Sequence, residues 1–211
     1  MRQQTNQILF DYWNEVRGNR LTPRRFDIEP ARIAAILPET FILERHDAST
    51  YRFRLAGTRI CDRFSVELRN RNFLDLVGVD DHTVLQDRLR IIGERGAAGL
   101  FEFETKDADR RSGRMEVLIL PLMDTRDVVT RFVGSMSLFD APAWPHAAVT
   151  IKGLLRHELI WPDGKPNLPL NPAHAPPAFR PMSPPTRIVT SNSRRFRVYD
   201  GGKSDSPAKS T

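Results

Sequence analysis

The sequence predicts an α+β fold: a five-stranded antiparallel sheet over residues 40–140 with helices packed on one face, a helical cap at 1–39, and an irregular Pro-rich tail at 141–211. Three observations predict it. Apolar and polar residues alternate with period two over 40–57 and 100–139. A stripe of helical period follows Asp80. Ten of the sixteen prolines fall between Pro162 and Pro207, a density that removes backbone donors and favours an extended, polyproline-like chain over a packed core.

The cap opens with Ile8, Leu9, Tyr12, Trp13 and Val16 at helical spacing, so residues 4–17 read as one amphipathic helix ending near Gly18. Its aromatic stripe requires a surface to cover. A second short helix is expected from Pro30 in its first turn through Ile33, Ile36 and Leu37, with Pro38 as the stop. The period then changes. TFILERH (40–46) and YRFRLAG (51–57) flank a polar DAST turn and read as a hairpin, with Tyr51, Phe53 and Leu55 on one face and Arg52 and Arg54 on the other.

Short helical pieces are expected at Thr58–Phe64 and Asn72–Leu76. A longer helix follows from Asp80 or Asp81 to about Ala98, with an aspartate as its cap, a Leu85, Leu89, Ile92 stripe, and Gly96 and Gly99 near its end. Leu100–Lys106, Arg114–Met123 and Thr130–Phe139, joined by polar turns, complete an antiparallel meander.

Composition narrows the function classes. The 211 residues are 40% hydrophobic, enough for one core of ordinary size with chain left over. Mean hydropathy is −0.43 and no apolar stretch approaches the roughly 20 residues of a membrane span. The opening MRQQTNQILFDYW lacks the apolar run of a secretory signal, so a cytoplasmic location is expected. The single cysteine, Cys61, excludes an intrachain disulfide framework. Of the net charge of +6, most lies after Pro162, where eight basic residues face three acidic ones; residues 1–161 carry 24 against 23. No Ser/His/Asp spacing, HExxH, GxGxxG or Walker A segment occurs, so neither an enzyme nor a catalytic residue is expected. Asp107, Asp109, Asp124 and Asp127 sit in two turns beside Arg110, Arg111 and Arg126 and read as solvated loop tips, with no metal assigned.

The order ββ, helices, βββ, together with RFRLAGTRI after Tyr51 and ELRNRNFLDLV at 67–77, resembles a PAS domain, with Arg71, Phe73, Asp75 and Leu76 at the places of its G-R-x-F-x-D-L segment. More narrowly, Trp13, Arg17, Pro23, Arg25, Asp27, Ile28 and Pro30 resemble the W-x-x-x-R, P-x-R and D-I-x-P opening of a bacterial group of mostly stand-alone PAS proteins. The resemblance covers residues 8 to about 140, with a weaker echo at RRFRVYDGG (194–202).

It implies a sensory or regulatory module that binds a small ligand, dimerises, or contacts an unidentified signalling protein; the cofactor is left unknown. Alternation then places Phe53, Leu55, Phe73, Leu89, Ile92, Phe103, Leu118 and Met136 toward one interior as ligand-pocket candidates, most of them read more readily as plain core. Leu9, Tyr12, Trp13 and Val16 are candidates for a homodimer or partner surface, with an intrachain cap on the sheet as the equal alternative. His82 stands on the helix that carries the axial ligand in haem-binding PAS sensors, though beside Asp80 and Asp81 a solvent-facing role is expected. Cys61, in GTRICDRF, echoes the cysteine segment of blue-light flavin PAS domains and reads rather as a buried small hydrophobe. Arg194, Arg195 and Arg197, interleaved with Phe196 and Tyr199, carry the alternative function, binding of nucleic acid or an anionic nucleotide, or form a strand that docks on a sheet edge, or belong to a flexible solubilising or membrane-surface tail.

Overall fold

The computed structural model describes residues 1–139 and 148–167. Helix α1 (Gln4–Arg17) leads into two 3-10 segments, Arg25–Asp27 and Pro30–Glu39, the second with its helical backbone broken at Ile33. Strands β1 (Thr40–Arg45) and β2 (Tyr51–Ala56) form the expected hairpin. Helix α2 (Thr58–Phe64), two 3-10 turns at Phe73–Leu76 and Val79–Asp81, and α3 (His82–Arg95) follow. Strands β3 (Ala98–Asp107), β4 (Ser112–Met123) and β5 (Val129–Phe139) make the meander.

A sixth strand, β6 (Val149–Ile160), corrects the expectation of five. It comes from the segment assigned to the tail and pairs antiparallel with β3, giving the order β2-β1-β5-β4-β3-β6. The pairing skips Leu155, between the Glu102–Arg156 and Phe103–Leu154 pairs, and Lys152, between Glu104–Gly153 and Thr105–Ile151. Two bulges within twelve residues erase the period-two signal, which is why the strand does not read as one.

The sheet is covered on both faces. On the inner face, α2, α3 and the Phe73–Leu76 turn pack on Phe41, Leu43, Tyr51, Phe53, Phe101, Phe103 and Phe132. On the outer face, Leu9, Tyr12 and Trp13 of α1, with Ile33 and Ile36, cover Ala98, Leu118, Leu120, Leu122 and Val133. The cap therefore lies opposite the other helices. Strand β4, sandwiched between the layers, is buried continuously from Met115 to Leu122.

The start of α3 departs from its expected cap, and the start of α1 has no side-chain cap of its own: neither Gln3 nor Asp81 caps its helix through a side chain. At α1 the carboxylate of Glu116, reaching from β4, accepts the backbone N–H groups of Arg2 (3.1 and 3.0 Å) and Gln3 (3.1 Å), donors just ahead of the first turn. At α3 the Asp81 carboxylate instead accepts the N–H of Leu154 in β6 at 2.8 Å. Gly96 ends α3 with φ +69°, as expected of a C-terminal glycine.

Candidate functional site

The expected ligand-pocket residues divide among three places. Phe53, Phe73, Leu89, Ile92, Phe103 and Met136 meet in the inner core, each almost fully buried. Leu118 belongs to the outer layer under α1. Leu55 is 47% exposed. The reason is a bulge: Phe53 pairs with Leu43 but Leu55 with Ile42, so Arg54 is the unmatched residue and the chain beyond it is turned to the outer face. Alternation read straight through Arg54 puts Leu55 on the wrong side.

Part of the inner space is filled by aromatic side chains that pack on one another. Phe41 stacks on Phe73 with centroids 6.4 Å apart, and Phe53 sets its edge against both, at 5.7 Å from Phe41 and 6.2 Å from Phe73. Opposite, the glycines of the sheet make room for these groups. A Cβ at Gly134 would fall 2.2 Å from the Phe41 ring and 2.4 Å from the Leu118 carbonyl oxygen; one at Gly99 would fall 2.3 Å from Ile92. The region between sheet and helices is close-packed around these positions.

His82 and Cys61 resolve differently from each other. The His82 Nε2 lies 2.9 Å from the Leu74 carbonyl oxygen and 3.2 Å from that of Val77. A nitrogen between two acceptors carries the proton and donates, so this atom ties α3 to the preceding turns instead of facing a haem iron or open solvent. Cys61 is partly exposed, a correction to its expected burial, and its thiol points toward Glu67, 3.9 Å away.

Asp124 and Asp107 bond the backbone of their own turns, but Asp107 is buried at the end of β3, a correction to the solvated tip that the sequence predicts. Asp124 accepts the N–H groups of Arg126 (2.7 Å) and Val128 (3.2 Å). Partial burial would raise its pKa, but these bonds and the Arg126 guanidinium outweigh it and hold the carboxyl below its ordinary value. Asp107 accepts the Arg111 N–H at 2.8 Å, and Asp127 faces Arg24 at 3.2 Å. Among the described residues no group of three or more His, Cys, Asp or Glu side chains is arranged to hold a metal ion. Tyr51 is a buried ionisable group of the inner layer: desolvation raises its hydroxyl pKa, against the opposing pull of the nearby Arg45 guanidinium.

The α1 stripe closes on its own sheet. Trp13 is fully buried and donates its indole N–H to the Pro121 carbonyl oxygen at 2.9 Å; Leu9 and Tyr12 are buried beside it and Val16 is half-buried. Of the two readings of this stripe, the intrachain cap is the one these contacts describe. The Tyr12 hydroxyl accepts the Glu29 N–H at 2.6 Å, and the Arg32 guanidinium lies 5.0 Å from the Tyr12 ring centroid.

Two polar arrangements escape sequence reasoning. Glu116, buried in β4, also accepts the Asn6 side-chain N–H at 2.8 Å, and Asn6 in turn accepts the Ser135 hydroxyl at 2.6 Å. Arg17 is buried and reaches Asp163, 146 positions away, at 2.8 Å. Arg194, Arg195 and Arg197, and with them the nucleic-acid alternative and the edge-docking strand, lie outside the described residues.

A family model described as PAS domain matches residues 1–137. The chain belongs to the PAS domain family, and a PAS domain is a sensory signal-transduction module. No curated protein matches. Among solved structures, the chain is similar to the LOV protein of Rhodobacter sphaeroides at 11% identity, with 55% of this chain and 71% of that one covered and a TM-score of 0.41. It is also similar to the PAS domain of an HTR-like protein from Haloarcula marismortui at 16% identity, covering 52% and 90%, with a TM-score of 0.38.

Proposed function

We propose that this PAS module senses and regulates through protein contact, the rearranging part being the α1 layer on the outer sheet face and not a small molecule held inside. The observation that supports this reading is the interlocked Phe41, Phe53 and Phe73 cluster, with Gly134 and Gly99 leaving no space for even one more methyl group. A ligand binding there would have to displace rings that are already buried and packed against one another. The outer layer is built differently, with a polar network at the start of α1 and an ion pair at its end. A partner that offers matching polar groups and covers the apolar stripe of Leu9, Tyr12 and Trp13 offsets the cost of moving α1, and a second arrangement on the sheet then becomes populated. A partner that prefers one arrangement shifts the population by its differential affinity.

Native mass spectrometry of the purified full chain tests this. The polypeptide mass without an added small molecule is the expected result, and a stoichiometric organic ligand retained in the gas phase would replace the contact reading with a ligand-binding one. Among the described residues no helix is long and apolar enough to cross a membrane.

A further inference from the structure

Residues far apart in sequence converge where α1 and α3 end. Arg17 is the last residue of α1, and its side chain is 7% exposed. Its guanidinium donates from Nε to Asn14 Oδ1 (2.7 Å), from Nη1 to the Arg20 carbonyl oxygen (2.8 Å) and from Nη2 to Asp163 Oδ1 (2.8 Å). The first two partners belong to α1 and the turn just after it. Asp163 belongs to the turn that follows β6, where the Gly164 N–H bonds the Trp161 carbonyl. Four residues on, the Asn167 side chain donates to the carbonyl oxygen of Arg95, the last residue of α3, at 3.3 Å.

We infer that Arg17 and Asp163 form a clasp through which the order of the segment after β6 and the docking of α1 depend on each other. A cation at the end of α1 is favoured by the helix dipole, but a guanidinium so nearly buried needs a carboxylate as well as neutral oxygens. Of the three oxygens the guanidinium bonds, that of Asp163 is the carboxylate. Lifting α1 from the outer sheet face withdraws Arg17 and frees the 161–167 segment. Freeing that segment leaves Arg17 with neutral acceptors alone and loosens the last turn of α1. The coupling is reciprocal, as any linkage between two equilibria must be. It joins the N-terminal layer directly to the chain that runs on past residue 167, and it stands whether or not the contact reading above holds.

Hydrogen exchange followed by mass spectrometry on the full chain tests the clasp. In Asp163→Asn, amides of residues 160–167 and those from Val16 to Arg20 are expected to exchange faster together, by about three- to tenfold, with the β1–β2 hairpin unchanged. Asn167→Ala, which cuts the contact to α3 and keeps the Arg17–Asp163 pair, is expected to loosen chiefly 164–167 and to speed exchange in α1 less than Asp163→Asn does. Asp163 is half exposed, so its variant keeps the core contacts and folds even where Arg17→Lys does not. Faster exchange confined to 160–167 in Asp163→Asn, no change in either segment, or equal loosening of α1 by Asn167→Ala would each overturn the inference.

Discussion

Trp13 and Pro121 meet on the outer face of the sheet, the indole N–H of one on the carbonyl oxygen of the other at 2.9 Å. Pro121 has no N–H to give a ladder, and it lies just past the last β4–β3 pair, Ile119 with Gly99. Its carbonyl is thus available to the helix above. Trp13→Ala removes both this bond and the largest side chain of the outer layer, and is expected to cost about 3–5 kcal/mol of unfolding free energy. Trp13→Phe, which keeps much of the volume, should cost nearer 1–2 kcal/mol. Urea unfolding of the two variants beside the wild type measures both.

Glu116 should contribute through the donors it satisfies. Glu116→Ala leaves the N–H groups of Arg2 and Gln3 and the side chain of Asn6 without this acceptor, in a site buried under α1. A loss of about 2–3 kcal/mol is expected, with faster amide exchange at the start of α1. Normal stability with unchanged exchange there would show that water replaces the carboxylate without penalty.

Gly134→Ala is expected to be among the most damaging single-methyl changes in the chain. The added carbon meets the Phe41 ring and, worse, the Leu118 carbonyl oxygen of the neighbouring strand, which cannot move without breaking the β4–β5 ladder. Overpacking of this kind costs about 1–3 kcal/mol where side chains can yield, and more where backbone is struck. Thermal unfolding should show a large drop in midpoint or no cooperative transition.

Phe53 and Leu55, two positions apart, should respond oppositely to truncation. Phe53→Ala opens the inner aromatic cluster and is expected to cost about 3–5 kcal/mol, whereas Leu55→Ala on the exposed outer face should stay within about 0.5 kcal/mol. Equal losses would mean that the bulge at Arg54 is not formed in solution. The pair can be compared in a single denaturant series.

Asp27 and Asp124 set part of the acid limit of stability. Partial burial opposes, but backbone N–H bonds (from Arg24, and from Arg126 and Val128) and neighbouring guanidinium groups lower both pKa values in the folded chain. A depressed carboxyl stabilises the fold at pH above its unfolded value, near 3.9, and that contribution disappears as pH falls through the folded value. Asp124→Asn should therefore flatten the pH dependence of stability below about pH 4 and leave its slope near neutrality unchanged. Denaturant midpoints measured from pH 2 to 7 provide the check.

The elements with undisturbed periodicity were legible in the sequence: the α1 stripe, the Leu85–Leu89–Ile92 face of α3, and the three strands of the meander. What was hidden has physical causes. A bulge is a backbone event without a fixed residue signature, so neither the reversal at Leu55 nor the doubly bulged β6 shows in an apolar pattern. Strand β4 is apolar toward both layers, so its pattern could not say that Leu118 faces α1. Long-range polar partners such as Glu116 with Asn6, or Arg17 with Asp163, look like ordinary surface charges until the chain is folded.

The Asp81 carboxylate on the Leu154 amide has a consequence for how these molecules behave in a crowd. Among the described residues β6 ends its sheet with no strand beyond it, and such a margin invites a neighbour's backbone to zip on. With one donor already occupied and the strand kinked at Lys152 and Leu155, that margin offers no long straight template. Part of that margin's resistance to a stray strand thus rests on a single acidic side chain, placed where a helix cap would ordinarily be sought.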